Sequence, residues 1–280
     1  MPEYPVRIGV ILTELGGLNS TALKYLILYQ NTLQKTFQFE LLPVPDSGDK
    51  FLGQLDSPVP IDREKIEKQM DAFVSRYKKW LEKQAEDFDI TPTLPDGYVI
   101  MSTVKFDDNY FLTGNDELGV IALGHWKRYM APPSIVEFFL NILIELSIDF
   151  ACGEDVPRHL TTRGCVFDFT VSLDEARLAV LTGYVCESCR KIITSRHERI
   201  YEDAKLLLQM NWLGDSSVPA TAALTADKLG YDLFHTKGIT PTFLERIRSS
   251  LEKEGLKALL QILAATIIAA LLIWLGLKKS

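Results

Sequence analysis

The stretch RGCVFDFTVSLDEARLAVLTGYVCESCRK, residues 163–191, holds three of the four cysteines of the chain. Cys186 and Cys189 form a Cys-x-x-Cys pair, and Cys165 precedes them. A thioredoxin-type redox pair sits at a helix start after the first strand of a small domain, whereas this pair comes late in the chain. Thiolate and imidazole groups are preferred zinc ligands. The segment therefore predicts a structural zinc site, with buried cysteines that bind no metal as the alternative.

The sequence does not decide which residue is the fourth ligand of this zinc site. Cys152 is favoured by ligand chemistry, since it would add a fourth thiolate, and His159 is favoured by its position next to the motif. A closed set of four protein ligands binds zinc with on the order of 10 kcal/mol or more, which is enough to fold a segment around the ion. The predicted cofactor is thus a structural zinc ion, and the candidate metal ligands are Cys152, His159, Cys165, Cys186 and Cys189.

The first half of the chain alternates strand and helix patterns. Apolar runs that predict strands are VRIGVIL at 6–12, FQFELLPV at 37–44, GYVIMSTVKF at 97–106 and ELGVIALGHW at 117–126. A helix is predicted from Asn19, and one long amphipathic helix over residues 62–88. The succession of strand, helix and strand indicates an α/β layer. The expected fold class is α/β, or α+β, with a mixed sheet and packed helices.

APPSIVEFFLNILIELSIDF, residues 131–150, predicts a buried helix that begins at Ile135. Ser134 and Glu137 have the spacing of a capping box. Polar side chains recur at four-residue intervals along this helix: Glu137, Asn141, Glu145 and Asp149. That spacing places them on one line of the helix surface. We interpret the line as a solvent-exposed edge, and the edge of a cleft is the alternative.

HLTTRGCVFDFTVSLDEARLAVLTGYVCESCRKII, residues 159–193, resembles the C-terminal segment of archaemetzincins, a family of zinc metallopeptidase-like proteins. In that family an HExxHxxGxxH helix is followed by a cysteine, a Cys-x-Met motif and a closing Cys-x-x-Cys pair. The resemblance implies that His159 stands at the third catalytic histidine and Leu160 at the first structural cysteine. It further implies that the remaining motif positions fall on Cys165, Phe167, Cys186 and Cys189.

The sequence departs from the family at the catalytic helix. Metzincin catalysis needs two histidines at i and i+4 to bind zinc and a glutamate between them to activate water. No HExxH motif occurs in this chain, and the turn that corresponds best has Glu145 between Ile144 and Ile148. A hydrocarbon side chain cannot bind zinc. The resemblance therefore implies a catalytically degenerate, metzincin-like domain over residues 1–197, a pseudopeptidase rather than an enzyme.

ALLQILAATIIAALLIWLGL, residues 258–277, carries no charge. Twenty helical residues match a hydrocarbon core of roughly 30 Å, so the stretch predicts one transmembrane helix. Residues 198–257 are predicted as a helical connector. No signal peptide is visible, and the basic residues just before the span predict a cytoplasmic N-terminal part. The expected localisation is a single-pass, tail-anchored membrane protein. Small residues on the span permit packing against a second copy.

The formal charge of −7 argues against nucleic acid as a partner, because phosphate binding needs clustered Lys and Arg. Two functions are compatible with these features. The first is a membrane-anchored binding or sensor module that recognises a peptide, a protein or a small molecule, with a membrane-perturbing effector as its stronger version. The second is a membrane-tethered zinc metallopeptidase with an atypical metal site. The candidate catalytic residues of that second function are Glu145, Asp149 and His159.

Overall fold

The structure is a computed structural model that describes residues 5–15, 18–45, 48–153, 156–160 and 163–230. Five strands form its sheet: β1 (Val6–Leu12), β2 (Phe37–Leu42), β3 (Gly97–Ser102), β4 (Leu112–Gly114) and β5 (Leu118–Ala122). Their spatial order is β2-β1-β3-β5-β4. Strands β2, β1, β3 and β5 pair in parallel, whereas β4 pairs antiparallel with β5 at the edge. The expected α/β class with a mixed sheet and packed helices is confirmed.

Both faces of the sheet are covered by helices, and the residues of β1, β2, β3 and β5 are divided between two separate hydrophobic cores. Val99 and Met101 of β3 lie in one core, and Tyr98 and Ile100 lie in the other. This division follows from the strand geometry, since successive side chains point to opposite faces. A sheet of mainly parallel strands is normally buried on both faces in this way.

The described helices are α1 (Ser20–Tyr29), α2 (Lys50–Leu55), α3 (Arg63–Glu67), α4 (Met70–Asp87), α5 (Ile135–Cys152), α6 (Leu173–Thr182), α7 (Glu187–Arg196), α8 (Glu198–Leu208) and α9 (Ala222–Lys228). Helices α2, α3 and α4 cover one face, and α1 with α5 to α9 cover the other. The single helix expected over 62–88 is thus two helices. The break falls at Lys68 and Gln69, where the Gln69 side chain donates to the Lys65 carbonyl at 2.9 Å and pairs with Gln54.

Helix α5 begins at Ile135, as predicted. Ser134 Oγ accepts from the Glu137 backbone N–H at 3.2 Å, and Glu137 Oε2 accepts from the Ser134 N–H at 2.6 Å. The helix lies very close to the sheet because two strand positions are glycine. A Cβ at Gly97 would be 2.6 Å from the ring of Phe150, and one at Gly119 would be 2.4 Å from Leu146. This contact fixes the position of the polar line of α5.

In the described part of the chain, no helix combines the length and the apolar character that a bilayer crossing requires. The predicted span at 258–277 lies outside the described residues, as does the predicted connector beyond residue 230. Helices α8 and α9 form the described part of that connector. Both contribute side chains to the same core as α5, among them Ile200, Leu207 and Ala226.

Candidate metal centre

The first element of the candidate metal centre is a short parallel bridge that orients His159. Helix α5 ends at Cys152, and the capping residue Gly153 adopts φ 70°. Further along the chain, His159 pairs with Asp168. The His159 N–H donates to the Phe167 carbonyl at 2.9 Å, and the Phe169 N–H donates to the His159 carbonyl at 2.8 Å. These two bonds hold the His159 backbone against the start of the cysteine segment.

A tight turn presents Cys165 to this bridge. Asp168 Oδ2 accepts from the Arg163 N–H at 2.6 Å and from the Cys165 N–H at 3.0 Å. The Asp168 N–H in turn donates to the Cys165 carbonyl at 3.0 Å. The charge-assisted bonds to the carboxylate are stronger than neutral ones, so Asp168 is the organising residue of the turn.

Helices α6 and α7 return the chain to the same place. Helix α6 ends at Thr182 and is capped by Gly183 with φ 56°, where a Cβ would lie only 2.3 Å from the Leu208 carbonyl oxygen. The Val166 N–H donates to the Tyr184 carbonyl at 2.8 Å, which brings the Cys-x-x-Cys pair beside the turn. Cys186 is the N-cap residue of α7, and Cys189 lies in its first turn. A helix N-terminus favours the thiolate form of cysteine.

Four donor atoms converge as a result, one each from His159, Cys165, Cys186 and Cys189, and all lie within 4.8 Å of one another. His159 Nε2 is 3.1 Å from the Sγ of Cys186 and 3.1 Å from the Sγ of Cys189. Ligands at about 2.0–2.3 Å from a tetrahedral ion lie roughly 3.5–3.8 Å apart, so this spacing fits one ion. The cluster could hold a metal ion, and the predicted thiolate triad is brought together.

The fourth donor is His159 and not Cys152, which ligand chemistry favoured. Cys152 lies in the last turn of α5, and its side chain belongs to the hydrophobic core. It is outside the cluster because the helix directs it there, whereas the backbone bridge directs His159 to the thiols. Leu160, the position that the family resemblance assigns to a structural cysteine, is 91% exposed.

The thiols of the cluster share their protons unevenly. The pKa of Cys165 is lowered, chiefly because the Cys189 thiol donates a hydrogen bond to it, with help from backbone N–H groups and against the effect of burial. The pKa of Cys189 is raised for the converse reason, since it holds its proton beside the Cys165 thiolate. One thiolate is therefore already favoured, and a bound cation would favour the others.

The other candidate metal site, at Glu145 and Asp149, is arranged differently. Arg158 Nη2 lies 3.0 Å from Glu145 Oε1 and 2.7 Å from Asp149 Oδ2. The Asp149 Oδ1 also accepts from the Val156 N–H at 2.8 Å. Burial raises the pKa of Glu145 to about 7, although Arg158 opposes the increase. The two carboxylates are thus bound to a guanidinium group, and His159 belongs to the thiol cluster instead.

The polar line of α5 is not a solvent edge. Asn141, Glu145 and Asp149 are only 1%, 8% and 6% exposed. Asn141 and Glu145 line a cavity of about 290 Å³ between β4, α5, α6 and the cysteine segment. The cleft interpretation is therefore correct for Asn141 and Glu145, because β4 and the cysteine segment cover a helix surface that the sequence pattern leaves exposed. Asp149 lines a second cavity, and Glu137 at the start of the helix is partly exposed.

Sequence reasoning missed Arg158 and Asp168. Both line the same cavity, and each contacts a site residue. The available signal was their position, since they are charged residues directly beside His159 and Phe167 in an otherwise cysteine-rich segment. No family model, curated protein or solved structure matches the chain. The archaemetzincin resemblance accordingly stays a prediction.

Proposed function

We propose that this chain is a membrane-anchored, non-catalytic archaemetzincin-like protein that binds a ligand and is held together by a structural zinc ion. The observation that carries the proposal is the convergence of His159, Cys165, Cys186 and Cys189 on one point. Three sulfur donors and one imidazole suit zinc in a tetrahedral site. Four protein ligands leave no open position for a water molecule, and such a site is structural rather than catalytic.

The structural role follows from which parts of the chain the ligands come from. His159 lies before the turn, Cys165 within it, and the other two cysteines at the start of α7. A bound zinc ion would supply strong bonds between these three segments. The residues themselves orient the donors through the bridge, the turn and the helix N-terminus. Removal of one donor would therefore loosen the whole wall of the cavity that Cys165 and Val166 form.

Three observations favour a protein that does not hydrolyse peptides. Ile144 and Ile148 are fully buried at the positions where a metzincin has zinc-binding histidines. Glu145, the one retained position of that motif, forms an ion pair with Arg158. His159 faces the thiols and not this turn. The alternative function, a membrane-tethered zinc metallopeptidase, would need a second metal site with an open position.

The binding role of the proposal is supported by the cavity beside the metal centre. Concave sites with mainly apolar walls and a few polar groups are the usual binding sites for small ligands. Residues 258–277 would anchor this domain to a bilayer from the cytoplasmic side, and association of the spans would bring several copies together. Ligand-driven clustering of the spans, with disturbance of the membrane, is the effector version of the same proposal.

Metal counting on the purified full chain in detergent tests the proposal. We expect one zinc ion per chain by elemental analysis, no cleavage of a mixed peptide library, and an unchanged zinc content in Glu145→Gln. Cys186→Ser should lose the zinc and unfold. Two zinc ions per chain, with peptide cleavage that disappears in Glu145→Gln, would establish the metallopeptidase instead. A zinc content of zero would contradict both functions.

Cell fractionation tests the membrane part of the proposal separately. The full chain should sediment with membranes and resist extraction by carbonate, and a chain that ends at residue 257 should not. Recovery of both chains in the soluble fraction would remove the anchor from the proposal and leave the metal centre untouched.

A further inference from the structure

Two buried polar atoms at the cavity have no hydrogen-bond partner among the described residues, namely Asn141 Nδ2 and Asp168 Oδ1. Asn141 is 1% exposed and Asp168 is 8% exposed, and both residues line the cavity. A buried polar group without a partner is destabilising. The terminal torsion of Asn is broad, so a small rotation turns the Asn141 Nδ2 towards a ligand in the cavity. At this one site, Asn141 Nδ2 therefore lacks a hydrogen-bond acceptor and Asp168 Oδ1 lacks a donor.

The free oxygen of Asp168 belongs to a carboxylate that is otherwise held in place. Its Oδ2 accepts from the Arg163 and Cys165 backbone N–H groups, and this leaves Oδ1 for a donor from outside the turn. An ionised acceptor forms stronger hydrogen bonds with charged donors. The group that best satisfies this oxygen is a cation.

The charge balance of the cavity points the same way. Its charged lining residues are the carboxylates of Glu67, Glu145, Asp168 and Glu175 and the guanidinium groups of Arg63 and Arg158. Both guanidinium groups already bind carboxylates: Arg63 pairs with Glu67 and with Asp108, and Arg158 pairs with Glu145. Asp168 and Glu175 are therefore the carboxylates of the lining that exceed its guanidinium groups. The cavity lining carries more negative than positive charge, so a cationic ligand is favoured over an anionic one.

The remaining walls limit the body of the ligand. Phe111, Ile142, Val166 and Val180 supply apolar surface. The volume of about 290 Å³ is at the lower end of the range for small-molecule sites, which runs from roughly 300 to 1,000 Å³. A compact apolar group of about ten non-hydrogen atoms fits such a space.

We propose that this cavity binds a small organic cation with a primary ammonium group for Asp168, an apolar body for the walls and an oxygen acceptor for Asn141. The inference rests on the proposed function, since it names the ligand class of the binding site. Binding would also stabilise the turn that presents Cys165, because the same carboxylate holds that turn and contacts the ligand.

Three related probes separate the two polar contacts: tyramine, N-acetyltyramine and phenethylamine. Tyramine has the ammonium group, the ring and a hydroxyl; N-acetyltyramine lacks the charge, and phenethylamine lacks the hydroxyl. Calorimetric titration of the zinc-loaded full chain should give at least about tenfold weaker binding for N-acetyltyramine, and roughly threefold weaker binding for phenethylamine.

Variants assign each contact to its residue. Asp168→Asn should abolish the preference for tyramine over N-acetyltyramine, and Asn141→Leu should abolish its preference over phenethylamine. Asp174→Asn is the matched control, since it removes the same charge from an exposed position on α6 and should change neither preference. Zinc content reports on folding in every variant. If Asp168→Asn loses its zinc, Asn141→Leu and the probe series decide the question.

Several results would overturn this ligand class. They are no measurable tyramine binding, equal binding of tyramine and N-acetyltyramine, or preferences that persist in both cavity variants. With one zinc ion per chain and no peptide cleavage, such results would leave the proposed function intact. Two zinc ions per chain together with cleavage would instead contradict the proposed function itself.

Discussion

The cysteine cluster (His159, Cys165, Cys186 and Cys189) and the polar turn of α5 (Glu145 and Asp149) both contain side chains that can bind a metal ion. The two regions arrange these side chains differently. In the cluster, His159 Nε2 lies 3.1 Å from the Sγ of Cys186 and 3.1 Å from the Sγ of Cys189. In the turn, Glu145 and Asp149 converge on the guanidinium group of Arg158. The first arrangement places four donor atoms around a point that could hold a metal ion, whereas the second already contains a cation, the guanidinium group of Arg158.

The difference arises from backbone geometry. Donors of the cluster come from three separate segments that a bridge, a turn and a helix start bring together, so they can surround an ion. Glu145 and Asp149 are one helical turn apart on the same helix and can approach a ligand only from one side. Two carboxylates on one helical turn can therefore bind a guanidinium group from one side, but they do not surround a metal ion.

Removal of a cluster ligand should have the largest effect on the molecule. Cys189→Ser replaces a strong thiolate donor with a weaker hydroxyl, and His159→Ala leaves three donors. Structural zinc binding supplies on the order of 10 kcal/mol to folding. We expect loss of zinc and a collapse of the unfolding transition in both variants, measured by elemental analysis and circular dichroism.

His159→Cys is the matched control for this experiment. It restores a four-thiolate set, which is a standard zinc site, and should retain about one zinc ion per chain. Retention of zinc and of full stability in His159→Ala would show that the imidazole is not a ligand, and the comparison between the two regions would lose its basis.

Removal of the cation from the α5 turn should have the next largest effect. Arg158→Met leaves Glu145 and Asp149 buried without their partner, and breaking a buried pair costs about 3–5 kcal/mol. The loss should be greater at pH 8 than at pH 6, because the pKa of Glu145 rises further without Arg158 and protonation relieves the repulsion. Urea unfolding of the zinc-loaded chain at both pH values measures this difference.

Arg76→Met provides the contrast. The Arg76 side chain is 54% exposed and pairs with Asp49 at 3.1 Å, so its removal should change the free energy of unfolding by no more than about 1 kcal/mol. Equal effects of the two substitutions would mean that the α5 turn is an ordinary surface ion pair.

The same two regions show what sequence reasoning can reach. The thiolate triad follows from the types and spacing of Cys165, Cys186 and Cys189, because few other arrangements explain three such residues in one segment. The start of α5 follows from the local pattern of Ser134 and Glu137. Local patterns carry this information because the interactions that decide them are local.

The other features of the site depend on contacts between residues far apart in the chain. The choice between Cys152 and His159 depends on the bridge between His159 and Asp168, which no spacing rule predicts. The burial of the α5 polar line depends on β4, a strand of three residues that is too short to give a pattern. The partner of Glu145 depends on how the chain turns after α5, and only the folded structure shows it.

The pH dependence of stability gives a smaller test of the α5 turn. The pKa of Glu145 is raised from 4.5 to about 7, so folding takes up a proton in this range. The stability that the protonated carboxyl supplies is fully present below about pH 4.5 and is lost as the pH rises through 7. The folded chain should therefore lose about 3 kcal/mol over this interval relative to Glu145→Gln, which cannot titrate.

The difference between the parent chain and Glu145→Gln is the quantity to measure, since the cysteines and histidines titrate in both. Urea unfolding at pH 5, 6, 7 and 8 gives it directly. A constant difference across the series would mean that Glu145 is ionised throughout and that Arg158 outweighs the effect of burial.

Substitution of Cys152 should have the smallest effect, and it tests whether the cluster and the α5 turn are separate sites. Cys152→Ala removes one sulfur atom from the hydrophobic core at the end of α5, and a small core truncation of this kind costs about 1 kcal/mol. Zinc content should not change, because His159 already completes the set. Thermal unfolding and elemental analysis of this variant are compared directly with those of Cys189→Ser. Loss of zinc from Cys152→Ala would assign the fourth position to sulfur, release His159 towards Glu145 and Asp149, and make the two regions parts of one metal site.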